Sequence, residues 1–595
     1  MFATRMSFSS KAAVFVTTLV VALTRWPALS QTFLDWDEAL FVLAVDDYDV
    51  ALQRPHAPGY PLFIAAAKLA YAAGFDAFHA LQAVVFLGAV CLVPAAYLLA
   101  RQLGFRATTA LGGAVILAFL PNVWVYGGTA FSDVPALTLG LTACALLLRG
   151  RTCSRAFVAG GIVLGCALGI RPATIIVAVV PLAIGAIGRL RERRWGPLVA
   201  SGLLVALIGG GSYVGAACAS RSVEDYQAAV REQSEWVRHV DSYRNPARPP
   251  LTDVAATFLL HPYDQPQQLT ALIALAAVSL VAAAVRRRGA PWGSLALFAP
   301  LMGFSVLSLD VQTPARYAVA YMFPYAMLAA DGLGVIVRRP RWQFAAAAVG
   351  ALALATWTWP AIRLQATSDA PPVAALRWVH SHSPRNADVF VSVGFRPQAA
   401  ALLTRRQIIY FEDDQTIGPE ETAGWVVDWR PIPQAKAFEW EHDRLWRVVR
   451  QRGFAAYALR LGDVHHFMDG WFDEGGIDDP RWMGRESRTW LPSRSGSMRL
   501  DLVLGAPLDL FTARPTVEVL VDDEVLDRFV LTDGEMTKSW IVPPGTSTAA
   551  FRELRLRSDT TVVPARVWSS STDERELGLL LRHLDWRAPD DAATP

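Results

Sequence analysis

Three acids fall within four positions in Asp35-Trp36-Asp37-Glu38, and an Arg, a His and a Tyr follow in Arg54-Pro55-His56-Ala57-Pro58-Gly59-Tyr60-Pro61. The acids begin just after a first apolar stretch, 12–29, so the whole group is tethered at a membrane surface. Ionisable groups in such a place point to function, because a spanning protein gains little stability from them. A carboxylate there can act as general base on an acceptor hydroxyl or amine. Several acids together can also hold a divalent cation through oxygen ligands. Arg54 offers the planar fork that suits phosphate, and His56 and Tyr60 sit within reach of the same ligand. The same residues have a plainer use. Asp35 before Ala39, Leu40 and Phe41 makes a good helix N-cap, Glu38 suits a first helical turn, and Tyr60 and Trp36 suit a membrane interface.

Three more candidates lie at predicted outer ends of spans. Asp133 follows Phe131-Ser132 and precedes Val134-Pro135, a pattern that also caps a helix with Pro in its first turn. Arg171 interrupts an apolar stretch between Gly165 and Val180, and an Arg at that depth needs an anionic partner. Arg316, in Thr313-Pro314-Ala315-Arg316-Tyr317, occupies a similar position. Both arginines are candidate phosphate ligands. His465, His466, Asp469, Asp473, Glu474, Asp478 and Asp479 match no common metal spacing and read as a polar loop.

The elements that must position these groups are membrane spans. The chain has 595 residues, 53% hydrophobic, and a formal net charge of +2, a balance that argues against nucleic-acid binding. Apolar runs long enough to span, at roughly 20 residues each, lie near 12–29, 80–100, 107–124, 134–148, 156–170, 172–188, 197–219, 269–285, 293–309, 318–336 and 342–360. The run from Tyr60 to Gly74 is short and carries Lys68, so it reads as a juxtamembrane or re-entrant helix. The arginines of the short loops then fall on one side with Arg5 and Lys11, as the positive-inside rule asks. About eleven crossings put the N-terminus in the cytoplasm. The 30–79 loop, the 220–268 loop and everything after about 361 lie outside. Within the 220–268 loop, Trp236, His239 and Tyr243 could line a site. Four cysteines fall in spans and Cys153 in a cytoplasmic loop, so no disulfide framework is implied. Only four of the 55 basic residues are Lys, and there is no Asn-x-Ser/Thr sequence. Both features suit a non-glycosylated chain from a GC-rich bacterial genome, and the expected location is the bacterial inner membrane.

Residues 1–360 thus form a membrane domain and 361–372 a polar linker. From 373 to 470, alternating helix and strand patterns imply a small α/β unit. Its predicted helices are Val373–His380, Pro397–Leu403 and Lys436–Arg452. Its strands are Asp388–Val393, Gln407–Phe411, Trp425–Asp428 and Phe454–Leu461. No Gly-rich phosphate loop occurs in it. From 471 to 595 the period becomes two, with strands at Met498–Leu504, Thr516–Val521, Val525–Leu531, Lys538–Val542 and Phe551–Arg557. Asp522-Asp523 sits at a hairpin turn. This implies a β-sandwich, either a carbohydrate-binding module or a spacer.

Four places in the membrane domain resemble the GT-C superfamily of glycosyltransferases, which includes protein O-mannosyltransferases and aminoarabinose transferases. The first is the outer loop with Asp37 and the Gln53-Arg54-Pro55-His56-Ala57-Pro58-Gly59-Tyr60-Pro61 run, similar to the Pro-His-Pro-Pro-Gly-Tyr-Pro loop of a bacterial branch. The others are Ser132-Asp133-Val134-Pro135-Ala136, the Gly-rich span from Gly160 to Arg171-Pro172, and Arg316-Tyr317 with Pro324 and Ala330-Asp331-Gly332-Leu333. The resemblance covers roughly 12–360. It implies an inverting transfer from a polyprenyl-phosphate sugar to an extracytoplasmic glycolipid, polysaccharide or protein. It makes Asp37 the general base or acceptor-orienting acid, and Arg171 and Arg316 the stabilisers of the leaving phosphate. Relatives differ in metal use, so no cofactor is required by it and a divalent cation stays open. Ala57 replaces a Pro of the loop, and Glu38 stands where the bacterial branch often has Ser.

Two further readings compete. A lipid-linked sugar transporter or flippase would carry charges near the midplane, commonly with internal repeats; here the charges cluster at the outer rim. A scaffold displaying a carbohydrate-binding domain would need none of them.

Overall fold

The computed structural model describes residues 8–589, apart from 264–266, 405, 413–423, 433–434, 441, 450–453, 473–479, 546–548 and 569–570. Asp473, Glu474, Asp478 and Asp479 of the expected polar loop lie outside the described residues. The contacts divide the chain into two units. One comprises Met1–Val373 with Trp440–Phe454, the other Ala374–Glu439 with Ala455–Pro595.

The first unit is helical. Its early elements are α1 (Phe8–Arg25), α2 (Trp36–Asp46), α3 (Pro61–Ala72), α4 (Ala77–Leu103), α5 (Ala107–Ala118), α6 (Pro121–Tyr126), α7 (Asp133–Arg149), α8 (Ser154–Ile170) and α9 (Thr174–Arg191). Then come α10 (Trp195–Val205), joined through a π turn to α11 (Gly211–Ala219), α12 (Val223–Trp236) and α13 (Leu251–Leu259). The last are α14 (Gln267–Val285), α15 (Gly289–Ser308), α16 (Pro314–Ala318), α17 (Met322–Ile336) and α18 (Pro340–Thr367).

The apolar runs fall largely on helices, but 107–124, expected as one span, is divided between α5 and α6. Among the described residues, six stretches are long and apolar enough to cross a membrane: Ala77–Leu103, Thr174–Arg191, Trp195–Ala219, Gly289–Ser308, Pro314–Ile336 and Pro340–His382. The physical reason is the same throughout: in hydrocarbon every backbone group must be bonded within its own segment. Large apolar side chains such as Phe15, Leu23, Leu87, Leu203, Val281 and Leu352 point away from the protein, as suits a lipid-facing surface. Helix α3 has 12 residues, about 18 Å at 1.5 Å per residue, too short for a roughly 30 Å hydrocarbon core.

Close approach of these helices uses small residues. A Cβ on Gly88 would meet the Pro135 backbone between α4 and α7, and one on Gly112 would meet Ala347 between α5 and α18. Gly332 of α17 lies against the backbone carbonyl of Leu275 in α14.

The segment expected as a linker, 361–372, is mostly helix. Helix α18 continues to Thr367, and only Ser368–Ala370 separate it from α19 (Pro371–His382). In the second unit, β1 (Val389–Ser392), α20 (Arg396–Leu402), β2 (Ile408–Phe411), β3 (Trp425–Asp428), β4 (Lys436–Glu439) and β5 (Ala455–Arg460) follow. They form a sheet of order β2-β1-β3-β5-β4. Strand β1 is parallel to β2 and β3, while β5 is antiparallel to β3 and β4. Apolar clusters cover both faces: Leu376, Val379 and Val391 on one, Phe390, Val426 and Leu459 on the other. The helix expected over Lys436–Arg452 is replaced by strand β4 and the short helix α21 (Asp443–Val448), which belongs to the first unit. Lys436-Ala437-Phe438-Glu439 alternates and pairs with β5, so the ladder prevails over local helix propensity.

The remaining strands are β6 (His466–Phe467), β7 (Arg481–Trp482), β8 (Glu486–Pro492), β9 (Met498–Gly505), β10 (Thr516–Val521), β11 (Glu524–Val530), β12 (Glu535–Val542), β13 (Phe551–Ser558) and β14 (Leu580–Arg587). Two sheets result, β11-β10-β13-β8-β6 and β12-β9-β14-β7, around a core that includes Leu500, Leu502, Val517, Val519, Leu554 and Leu556. The β10–β11 hairpin turns at Asp522 (φ 53) and Asp523 (φ 65), as a two-residue turn with both φ positive requires. His466, expected in a polar loop, pairs with Trp490 of β8.

Gly332→Ala should destabilise the membrane unit by about 1–3 kcal/mol, because the added methyl meets backbone that cannot yield. Its unfolding temperature in detergent, compared with Gly303→Ala, where a Cβ meets nothing, checks this.

Candidate active site

The site grows from the start of α2. Asp35 is the N-cap; its side chain accepts from the Asp37 backbone N–H (2.7 Å). Glu38 closes a capping box. One of its oxygens accepts from the N–H of Leu34 (2.9 Å) and Asp35 (3.1 Å), and the other from the N–H of Ala130 (2.9 Å). Glu38 is 1% exposed. Both oxygens are therefore occupied by backbone, and Glu38 ties the start of α2 to the loop before α7. Asp35 and Glu38 were expected beside Asp37 in the chemistry; in the structure their side chains are engaged by backbone N–H groups. They are cap and staple, because four orphan N–H groups at a helix start need acceptors.

Asp37, next along α2, is turned the other way. Its Oδ2 meets Arg316 Nη2 at 2.7 Å and its Oδ1 faces His56 Nδ1 at 3.5 Å. Arg316, in α16, reaches a second acid as well: its Nε lies 3.5 Å from Asp133 Oδ2. Its guanidinium also stacks 4.0 Å from the ring centroid of Phe131. Asp133 Oδ1 in turn takes Arg171 Nη1 at 2.8 Å, and Arg171 also reaches the Ser132 hydroxyl at 3.4 Å. Asp37, Arg316, Asp133 and Arg171 thus form one alternating chain of charge. It is drawn from α2, α16, α7 and the junction of α8 and α9.

The 54–60 loop brings in His56 and Tyr60. His56 Nε2 is 2.9 Å from Tyr60 Oη, and the Phe41 ring packs against both. Arg54 does not join them. It pairs with Asp47 at 2.7 Å on an exposed surface. Arg54, expected as a phosphate ligand, is paired here with an acid seven residues away. Trp236 and Tyr243 are 58% exposed and contribute nothing to this cluster. Residues not anticipated include Phe131, Ser132 and Phe41, which look like ordinary apolar or capping residues in the sequence. Tyr48 and Tyr226, whose hydroxyls hold the loop carbonyls of Gly59 and Pro58, were also missed.

Burial alone would raise the Asp37 carboxyl. The charge and hydrogen bond of Arg316, with Arg171 behind and His56 adding whenever it is protonated, hold it below the usual carboxylate range. His56 itself is pushed down by burial, against the pull of Asp37, so it is neutral at neutral pH. Asp35 goes the opposite way: burial raises it to about 7, with Arg316 opposing and Asp37 adding. The environment has split neighbouring acids into one always ionised and one that holds its proton, a pattern typical of sites with assigned acid–base roles.

An open groove with a cavity volume of about 50 Å³ is lined by Asp133 and Arg171 and by Leu137, Leu141, Val177, Phe298 and Leu301. It therefore joins a charged end to an apolar wall formed by α7, α9 and α15. Among the described residues no group of three His, Cys, Asp or Glu side chains is placed to hold a metal ion. Asp37 and Asp133 instead face guanidiniums.

Residues 59–210 match the sequence family described as dolichyl-phosphate-mannose-protein mannosyltransferase. No curated protein sequence matches the chain. Among solved structures, the chain is similar to ArnT from Cupriavidus metallidurans bound to undecaprenyl phosphate. That likeness has 12% identity and a TM-score of 0.48, over 76% of this chain and 98% of that one. It is also similar to the arabinofuranosyltransferase AftD from mycobacteria, at 11% identity and a TM-score of 0.44, over 99% of this chain and 60% of that one. Likenesses at this level do not carry function from one protein to another.

Two outcomes follow from the site's geometry. In the fold Asp35 keeps its proton to about pH 7, whereas the unfolded chain loses it near pH 4. Between these values unfolding releases a proton, so this group makes stability fall as pH rises, and the full cost stands above about pH 7. Asp35→Asn keeps the cap and should be more stable than wild type at pH 8 by about 1–2 kcal/mol. The advantage should shrink to nothing near pH 4. Thermal unfolding at both pH values tests this, and equal stability throughout would mean that Asp35 is ionised in the fold. Glu38→Gln sets an amide N–H against a backbone N–H and should cost about 1–3 kcal/mol at any pH, read by the same measurement.

Proposed function

We propose that this membrane protein, whose 59–210 segment matches a mannosyltransferase family, is a GT-C glycosyltransferase. On this reading it transfers a sugar from a polyprenyl-phosphate donor to an acceptor outside the membrane, with inversion. The observation that carries the reading is the alternating chain Asp37–Arg316–Asp133–Arg171 at the mouth of an apolar groove. A lipid-linked phosphate needs this combination: cations for the headgroup and an apolar wall for the chain.

Arg171 and Arg316 take the phosphate, and Asp133 holds both guanidiniums at a fixed separation. In the resting site Arg316 is engaged by carboxylates, so an incoming phosphate shares it. That sharing loosens the hold on Asp37 and raises its basicity when the donor is in place. Asp37 then accepts the proton of the acceptor hydroxyl or amine. The acceptor atom bonds to the anomeric carbon, the bond from that carbon to the phosphate oxygen breaks, and its electron pair leaves with polyprenyl phosphate. The two arginines stabilise the charge that develops there. The donor arrives laterally from the bilayer, so no nucleotide site is required.

The topology that goes with this reading has about eleven crossings, a cytoplasmic N-terminus, and the site and the strand-rich region outside the inner membrane of a bacterium. The region 471–595 is a β-sandwich suited to holding a glycan acceptor.

The protein in nanodiscs, given a mixed pool of bacterial polyprenyl-phosphate sugars and membrane glycolipids, should release polyprenyl phosphate and form a product heavier by one sugar. Mass spectrometry identifies both. Asp37→Asn should lower kcat by about 10²- to 10⁴-fold, the range for loss of a positioned base, with folding retained. Lipid movement without any new product would favour a transporter. A variant indistinguishable from wild type would reduce Asp37 to a structural residue.

A further inference from the structure

The loop 54–60 carries a feature that phosphate binding does not explain. Tyr60 has φ +46, in the left-handed region, where an ordinary residue costs roughly 1–2 kcal/mol and glycine does not. The residue before it, Gly59 (φ +105), is a glycine, and a Cβ there would strike the Tyr48 hydroxyl and Val50. A tyrosine kept at position 60 against its backbone preference indicates that its side chain is needed.

That side chain reaches His56. Tyr60 Oη is 2.9 Å from His56 Nε2. Burial pushes the phenol up to about 12, so it holds its proton; the other ring nitrogen of His56 faces the Asp37 carboxylate, which only accepts, so the Tyr60 hydroxyl donates to Nε2. Nε2 is then the accepting nitrogen, and a neutral imidazole must carry its proton on Nδ1. Nδ1 is buried and makes no hydrogen bond within the resting site; the acceptor it faces is Asp37 Oδ1, at 3.5 Å. Catalytic hydrogen bonds of this kind are commonly long before substrate binds and shorten afterwards. The loop is held for the purpose from two sides. Tyr48 Oη donates to the Gly59 carbonyl (2.9 Å) and Tyr226 Oη, from α12, to the Pro58 carbonyl (3.1 Å).

We propose that Tyr60 and His56 are positioning residues acting in series: the Tyr60 hydroxyl fixes His56 as its Nδ1–H tautomer, and that N–H orients and supports the Asp37 carboxylate. The role rests on Asp37 being the base of the proposed transfer. When Asp37 takes the acceptor's proton, the His56 N–H stays on Oδ1 and keeps the carboxyl plane fixed. The proton leaves by way of Asp37 to water or to the departing lipid phosphate, and neither His56 nor Tyr60 changes its own proton count over a turnover.

Two measurements on the full-length protein in nanodiscs test this. The first uses ring-15N histidine and needs no turnover. Wild type should show one histidine as the neutral Nδ1–H form, a signal absent in His56→Ala and shifted to the commoner Nε2–H form in Tyr60→Phe. An Nε2–H His56 in wild type overturns the proposal. The second uses a polyprenyl-phosphate sugar pool. His56→Ala should lower kcat by about 10-fold or more, within the 10²–10⁴ of the base itself, and leave the donor KM within about 2-fold. Tyr60→Phe should do likewise, and adding it to His56→Ala should change nothing further, as for groups in series. His56→Asn, which returns an N–H near the Nδ1 position, should restore part of kcat. A raised donor KM with additive effects would make both residues phosphate ligands and overturn the proposal. Should wild type turn over no donor while the 15N pattern is as expected, the tautomer chain stands and the glycosyl-transfer reading falls.

Discussion

Two guanidiniums, one of them buried, and two carboxylates hold one another in place, and the rest of the helical unit is arranged around that fact. Arg316 is 5% exposed and Asp133 is 4%. Leaving either charge unpaired at such depth would cost several kcal/mol. The chain therefore has to bring α2, α7, α16 and the end of α8 to one point. Each guanidinium finds a carboxylate there, and Arg316 also finds an aromatic face.

The neighbouring acids show how one short stretch divides its labour. Asp35 and Glu38 satisfy backbone N–H groups, and Glu38 extends that duty across 92 residues to Ala130. This leaves Asp37 to face Arg316 and His56. The bond to Ala130 fixes the loop that leads into Asp133, so the two acids that touch Arg316 are registered by a third that does not.

A resting site filled by its own ion pairs has a consequence for binding. Any anion that enters must compete with carboxylates already seated on the guanidiniums. On the proposed reading, a phosphate attached to a hydrophobic chain adds apolar contact along Leu137, Val177 and Phe298 that free phosphate lacks.

Much of the architecture is written locally. Apolar runs became helices because hydrocarbon permits little else. Alternation at Thr516–Val521 and the two acids at Asp522-Asp523 became a hairpin because period two and a positive-φ turn leave one solution. The types of Asp37, Asp133, Arg171 and Arg316, each at the rim of an apolar run, marked them as candidates for chemistry. Their pairing was not local. Arg316 lies 183 residues from Asp133, and which acid meets which arginine depends on how the helices pack. Likewise, nothing in Asp35-Trp36-Asp37-Glu38 says which acid caps and which turns to the site. The backbone N–H groups of Leu34, Asp35 and Ala130 decided it. Arg54 was lost to Asp47 and Tyr60 was gained by His56 through the turn of one loop. The sequence by itself determined the inventory of charges and the membrane frame, because burial and period act residue by residue. Only the tertiary structure decided the partners, because a buried charge is defined by whatever the fold brings within a few ångströms of it.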